Sequence, residues 1–226
     1  MKIRSILFYA TLSLWTIFIG ILMLPFAMLS KKYAVSTSYQ WSKYTLFLCK
    51  HILGIDYKID GVDKVSHESC IICSNHQSAW ETIFFLYYFR NPIFILKKEL
   101  FYLPIIGYYI KRLGMIFIDR DKPIESIKKI KKSIKNNNQK IVIFPEGTRI
   151  KYKNRGKFKS GVFFIAKTLK LPIIPNAHNA GKFWPKGMFG KKSGVITSRF
   201  LDPVNNFEDK NKLIKSLENN IYSSIL

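Results

Sequence analysis

The sequence predicts an α/β fold: a mixed, largely parallel sheet flanked by helices, preceded by an N-terminal membrane-embedded helical segment. Three observations predict it. Residues 5–30 carry no charge, and about 20 apolar residues suffice to cross a bilayer core as a helix. From about Ile55 onward, short apolar runs alternate with helical stretches, the pattern of strands joined by crossover helices. Several of those runs end directly in loops carrying histidine, glutamate or arginine. In parallel sheets, ligands gather at the carboxyl ends of the strands. The organisation expected is membrane-anchoring helices over residues 1–54 and a catalytic domain over residues 55–226.

Taken in order, the apolar stretch comes first. Lys2 and Arg4 precede it and Lys31 and Lys32 follow it, so positive charge on both sides gives no orientation. It is too long for a signal-peptide core and lacks a cleavage pattern, so it is a retained anchor. Pro25 is placed to kink or end the helix. The next segment is amphipathic, and its Tyr39, Trp41, Tyr44 and Phe47 suit a membrane interface. A span and a helix pair dipping into one leaflet both fit. Strands are expected over 55–60, 70–74, 93–97, 115–119, 140–144, 172–178 and 194–200. Helices are expected over 80–90, 100–112, 123–137, 160–170 and 207–225. In 127–140, Ile127, Ile130 and Ile134 recur at helical spacing, which turns that face inward and the lysines outward.

Composition narrows the function. Against 37 Lys+Arg stand 14 Asp+Glu, a net charge of +23. Such an excess attracts polyanions, whether anionic lipid, a phosphorylated substrate or nucleic acid. Three cysteines are too few for a disulfide framework. Cys70 and Cys73 form a CxxC inside "SCIICSN", which is a buried strand and not a zinc knuckle. Neither a GxGxxG nor a Walker loop occurs, so no nucleotide cofactor is expected. A GxSxG elbow is also missing, and no His, Cys and carboxylate set has metal spacing.

Four strand ends carry chemistry. In "SNHQSAWET", His76 follows strand 70–74. On an ideal helix His76 and Glu81 would diverge by about 140°, so they meet only if His76 lies in the turn before the helix. If they do, Glu81 fixes the tautomer of His76 and stabilises its cation, making it a base for a hydroxyl. In "IVIFPEGTRI", Gly147 permits a tight turn, Thr148 adds a hydroxyl and Arg149 offers a planar fork suited to phosphate. The plainer alternative pairs Arg149 with Glu146. In "LGMIFIDR", Arg120 would stand on the same edge as His76 and Arg149, and two converging arginines suit a phosphate dianion. In "LPIIPNAHNAGKFWP", His178 is either a second base or a residue that shapes the pocket.

The order "NHQSAWE", "KKEL" with "LPIIG", "GMIFIDR", "FPEGTR" and "LPIIPNAHNAG" resembles the glycerolipid acyltransferase family, over roughly residues 70–185. The family's first motif ends in aspartate, where this chain has Glu81; some members carry glutamate there. The resemblance implies that His76 is the general base and that Glu81 orients it. It further implies that Arg120, Glu146, Gly147, Thr148 and Arg149 hold a glycerol phosphate and that Pro175 shapes the acyl-donor side. The implied reaction moves a fatty acyl group from acyl-CoA or acyl-ACP, as co-substrate, to the sn-2 hydroxyl of lysophosphatidic acid. Phosphatidic acid is then made at the cytoplasmic face of the cell membrane, without metal or bound cofactor. Backbone amides near Gly147 or after His76 are candidates for the oxyanion site. The stretch 99–114 is a candidate acyl-chain lining. Two rivals remain: the same fold acylating another lysolipid or glycerol 3-phosphate, and a membrane-anchored basic binding protein without catalysis. Nucleic acid is not an expected partner.

Overall fold

The computed structural model describes residues 1–118 and 138–225. Helices α1 (Lys2–Leu22), α2 (Leu24–Leu29) and α3 (Lys31–Leu48) come first. Pro25 falls in the first turn of α2, where its missing N–H costs nothing, so the long apolar helix ends just before it. Ser30 caps α3 by accepting from the Lys32 amide. The chain then folds back: the Trp41 indole donates to Thr16 Oγ1 at 2.9 Å, tying α3 to α1.

Strands follow where the sequence placed them, with ends shifted by a residue or so. They are β1 (Ile55–Asp60), β2 (Cys70–Ser74), β3 (Ile93–Lys97), β4 (Ile116–Ile118), β5 (Lys140–Ile143), β6 (Ile173–His178) and β7 (Gly194–Phe200). Among the described residues they form one sheet in the order β1-β7-β6-β2-β5-β3-β4. All pairings are parallel except β6 with β7. The helices are α4 (Trp80–Phe89), α5 (Ile106–Leu113), α6 (Gly161–Leu169), α7 (Ala180–Phe183) and α8 (Lys210–Ser223). The stretch expected as one helix over 100–112 divides into a tight turn, Lys98–Tyr102, and α5. Pro104 is the cause: it disfavours helical backbone at the residue before it. The helix expected over 207–225 starts at Lys210 because Asp209 accepts from the Asn211 and Lys212 amides. The expected helix over 123–137 lies outside the described residues, as does the end of the strand expected over 115–119.

Alternation along β2 separates two cores. Cys70 and Ile72 join Trp80, Phe84 and Phe94 with Phe8, Ala27, Ala34 and Leu46 of the N-terminal helices. Ile71 and Cys73 join Val162, Phe163, Leu213, Leu217 and Ile221 of α6 and α8. The first face carries α1–α3, and the second carries α6 and α8. Polar ties lock α1 and α2 in place. The Tyr109 hydroxyl donates to the Gly20 carbonyl at 3.1 Å, and Arg112 Nε donates to the Ala27 carbonyl at 2.9 Å. The outer side of α1–α3 stays apolar and uncovered, with Ile3 82 % and Leu29 79 % exposed. At 21 residues, α1 is about 31 Å long, enough by length and composition to cross a membrane.

Gly61 closes β1 against the end of β7. Its φ of 71° is left-handed, and a Cβ there would fall 2.3 Å from the Phe200 carbonyl oxygen. Gly61→Ala should destabilise the chain by about 1–3 kcal/mol through overpacking and backbone strain, read as a lowered thermal midpoint.

Candidate active site

Parallel pairing puts the loops after β2, β5 and β6 on one edge of the sheet. Cys73 pairs with Ile143 and Ser74 with Asn176. The turn at residues 75–79 therefore meets both the "PEGTR" turn and His178.

Helix α4 begins at Trp80, so His76 lies in the turn before it, and the pairing left open by the sequence is made. His76 Nδ1 stands 2.8 Å from Glu81 Oε1. The same oxygen accepts the amides of Gln77 and Ser78, each at 2.8 Å. Helix-initial carboxylates reach back to preceding amides in this way, on the positive end of the helix. Glu81 is fully buried. Burial opposes its charge, but the His76 ring and the Ser78 amide, both bonded to it, hold the carboxyl below its ordinary value. An ionised Glu81 only accepts hydrogen bonds, so His76 carries its proton on Nδ1 and keeps a lone pair on Nε2. The ring is partly exposed and stacks on Phe144, centroids 4.2 Å apart and planes 16° from parallel.

Glu146 holds the histidine from its other side. Its Oε2 accepts the His76 amide at 2.8 Å, and the Tyr222 hydroxyl lies 2.8 Å from its Oε1. The His76 carbonyl accepts the Ile150 amide at 2.7 Å, so the two loops interlock. Glu146 is therefore turned inward to the backbone of His76. Both of its oxygens are taken within the protein, and among the described residues it forms no ion pair with Arg149. Gly147 has the left-handed backbone expected, φ 66°, and its amide donates to the Phe144 carbonyl at 3.0 Å. Thr148 and Arg149 stand exposed at the tip of this turn. The Arg149 guanidinium is within electrostatic reach of the Tyr9 phenol in α1.

Three of the amides expected near an oxyanion site are occupied: those of Gln77 and Ser78 by Glu81, and that of Gly147 by the Phe144 carbonyl. His178 is not a second base. Ala180 N–H donates to its Nδ1 at 3.2 Å, so Nε2 carries the hydrogen and donates to the Asn75 carbonyl at 2.7 Å. Burial lowers its pKa, which keeps the ring neutral. The Asn75 side chain grips the His178 backbone on both sides at 3.0 Å, joining the first and fourth loops. Pro175 sits inside β6, opposite Cys73, buried between β2 and β7 and back from the strand end. Arg120 lies outside the described residues.

Sequence reasoning missed Asn75 and Tyr222. The polar run that follows a fully apolar strand was a signal for Asn75. Tyr222 lies in a C-terminal amphipathic helix and gave none.

One phenolic hydrogen of Tyr222 faces two acceptors, Glu146 Oε1 and, at 3.2 Å, the Gly156 carbonyl. Burial pushes the Glu146 carboxyl up to about 8, with the Glu81 charge adding to it and the bonds from the Tyr222 hydroxyl and the His76 amide opposing it. The folded chain thus binds a proton that the unfolded chain releases nearer 4.5. Stability from this group falls as pH rises through that window. Glu146→Gln should flatten the fall, checked by thermal midpoints at about pH 5 and about pH 8.

Comparison with known proteins adds to this geometry. A family model described as "Acyltransferase" matches residues 56–179. The 1-acyl-sn-glycerol-3-phosphate acyltransferase of Pseudomonas aeruginosa is 36 % identical over 200 residues, covering 86 % of this chain and 77 % of that protein. The Saccharomyces cerevisiae enzyme of the same name is 32 % identical over 177 residues, covering 73 % of this chain and 57 % of its own length. A crystal structure of the 1-acyl-sn-glycerophosphate (LPA) acyltransferase PlsC from Thermotoga maritima shares the fold. Its TM-score is 0.79 at 22 % identity, over 99 % of this chain and 95 % of that one.

Proposed function

The chain belongs to the acyltransferase family, and from that premise we propose that it transfers a fatty acyl group from a thioester donor to the sn-2 hydroxyl of lysophosphatidic acid, giving phosphatidic acid. The observation that carries the reading is the 2.8 Å contact between His76 Nδ1 and a buried, charged Glu81. It leaves Nε2 as the basic nitrogen of a strand-end turn whose one serine, Ser78, is buried with its hydroxyl accepting the Trp80 amide. Direct transfer suits such a site.

In the mechanism, His76 Nε2 removes the proton from the sn-2 hydroxyl as the oxygen attacks the thioester carbonyl. Glu81 stabilises the imidazolium that forms. The tetrahedral intermediate collapses, the C–S bond breaks, and the imidazolium returns its proton to the leaving thiolate. Atoms balance without an acyl-enzyme. Thr148 and Arg149, exposed on the adjoining turn, are assigned to the acceptor's phosphate, with Arg120 as the expected second cation. With the Gln77, Ser78 and Gly147 amides taken, the backbone amides of Thr148 and Arg149 on the same turn are assigned to the oxyanion. Glu146 and Gly147 support them by shaping the turn. The uncovered apolar side of α1–α3 supports binding to the membrane that supplies the lysolipid. The donor thioester, acyl-CoA or acyl-ACP, comes from the cytoplasm, so the catalytic edge is assigned to the cytoplasmic face.

The test is acyl transfer by membranes carrying the protein, with labelled acyl-CoA or acyl-ACP and lysophosphatidic acid, glycerol 3-phosphate or a zwitterionic lysolipid as acceptor. His76→Ala should lower turnover by about 10²–10⁴-fold, the usual worth of a general base. Near-normal turnover in that variant would refute the mechanism. Product from glycerol 3-phosphate alone would reassign the acceptor, and no product from any acceptor would favour a non-catalytic basic binding protein.

A further inference from the structure

A cavity of about 250 Å³ opens beside the scaffold of His76, lined by Gln77, Lys153, Asn154, Arg155, Tyr222 and Ile225 among others. Gln77 is the chain neighbour of His76, and Tyr222 reaches the His76 amide through Glu146. The cavity therefore borders the frame that positions the base.

Its fixed charge is positive. Lys153 and Arg155 line it, within a run, "KYKNRGKFK" (151–159), that places a cation at every second residue. Arg155 is held with its guanidinium 5.9 Å from the centre of the Tyr222 ring. Lys153 has a left-handed backbone, φ 73°, a conformation that strains a non-glycine residue and concentrates at functional sites. The nearest carboxylate on α8, Glu218, is engaged by the Phe158 amide at 3.0 Å. An arginine fork beside a lysine and an asparagine amide suits a phosphate ester.

The cavity's position selects the substrate. Tyr222 and Ile225 belong to the sheet face packed by α6 and α8. The apolar helices α1–α3 cover the opposite face. A lysolipid leaving a membrane at α1–α3 approaches the strand-end edge from that face, where Arg149 stands exposed on the edge. A water-soluble donor approaches from the other face, and two phosphates that must be bound together repel less on separate cations.

We propose that the Lys153–Arg155 cavity binds the phosphate of the acyl donor's phosphopantetheine arm, the group that acyl-CoA and acyl-ACP share. The proposal rests on the thioester-dependent reading above. It makes these two residues donor-binding groups, with Gln77, the chain neighbour of His76, in the cavity wall.

The experiment uses the full chain in detergent micelles. Lys153→Ala/Arg155→Ala is compared with the wild type and with Lys157→Ala, an exposed cation of the same run that does not line the cavity. The double variant should raise KM for palmitoyl-CoA about tenfold or more, the usual effect of losing a charge-assisted hydrogen bond. KM for lysophosphatidic acid, and turnover with S-palmitoyl-pantetheine, which lacks the phosphate, should stay within about twofold. Arg155→Lys, which keeps the charge but not the fork, should recover part of the loss, separating recognition from misfolding. A rise with palmitoyl-ACP as well as palmitoyl-CoA assigns the cavity to the shared phosphate; a rise with palmitoyl-CoA alone overturns that and points to the nucleotide end. A raised KM for lysophosphatidic acid instead, or no change in any constant, also overturns the proposal. Calorimetry with coenzyme A separates this failure from that of the activity. Binding weakened about tenfold in the double variant of a chain that makes no phosphatidic acid removes the reaction but keeps the cavity. Normal synthesis with unaltered donor KM removes the cavity alone.

Discussion

Two buried carboxylates clamped to one five-residue turn are the constraint on which the catalytic edge depends. Glu81 holds the turn from inside the sheet's helical face, and Glu146 holds it from the neighbouring strand end. Neither carboxyl is free to relax into water, since Glu81 is fully buried and Glu146 is 3 % exposed. A buried carboxyl that loses its hydrogen-bond partners is costly, more so for a charged one such as Glu81. Each side chain therefore enforces the backbone geometry that feeds it hydrogen bonds. His76 gains a fixed ring from Glu81 and a fixed main chain from Glu146. Three donors converge on Glu81 Oε1, while Oε2 has no hydrogen-bond partner among the described residues. The negative charge is thus best neutralised on the oxygen that faces His76.

The strand order that brings these groups together was partly legible in the sequence. The runs at 55–60, 70–74 and 194–200 read as strands because they are short, β-branched and bounded by turn residues, and they form as read. The His76–Glu81 pair was legible only as a condition, since five positions meet only when the helix starts after the histidine. The hold of Glu146 on His76 was not legible, for a physical reason. Its partners lie 70 and 76 residues away in sequence, and no periodicity records a contact of that kind. The acceptors of the Gln77, Ser78 and Gly147 amides were hidden for a similar reason: a loop amide looks available until the structure shows which acceptor has taken it. His178 shows the reverse case, where the bonds to both ring nitrogens support the pocket-shaping role over that of a second base.

The departure at position 81 becomes intelligible at the same level. Glutamate carries one more methylene than the aspartate of the family pattern, and the added reach causes no loss of contact. From the second residue of α4 the side chain spans back over the turn, touching the ring of His76 and two amides at 2.8 Å each. The helix start absorbs the extra length by keeping residues 77–79 outside the helix.

The direct transfer proposed above would impose a last requirement on the fold. Without an acyl-enzyme, both substrates would have to be present at His76 at once, and both proposed substrates carry phosphate. One edge of a sheet has two flanks, and here they differ in kind. The flank under α1–α3 is apolar and continuous with a surface suited to lipid. The flank under α6 and α8 ends in a basic loop and a cavity. The turn that carries His76 lies between them, anchored by Glu81 to the first face and, through Glu146 and Tyr222, to the second. The fixed histidine and its place between the two flanks are thus consequences of the same pair of buried carboxylates.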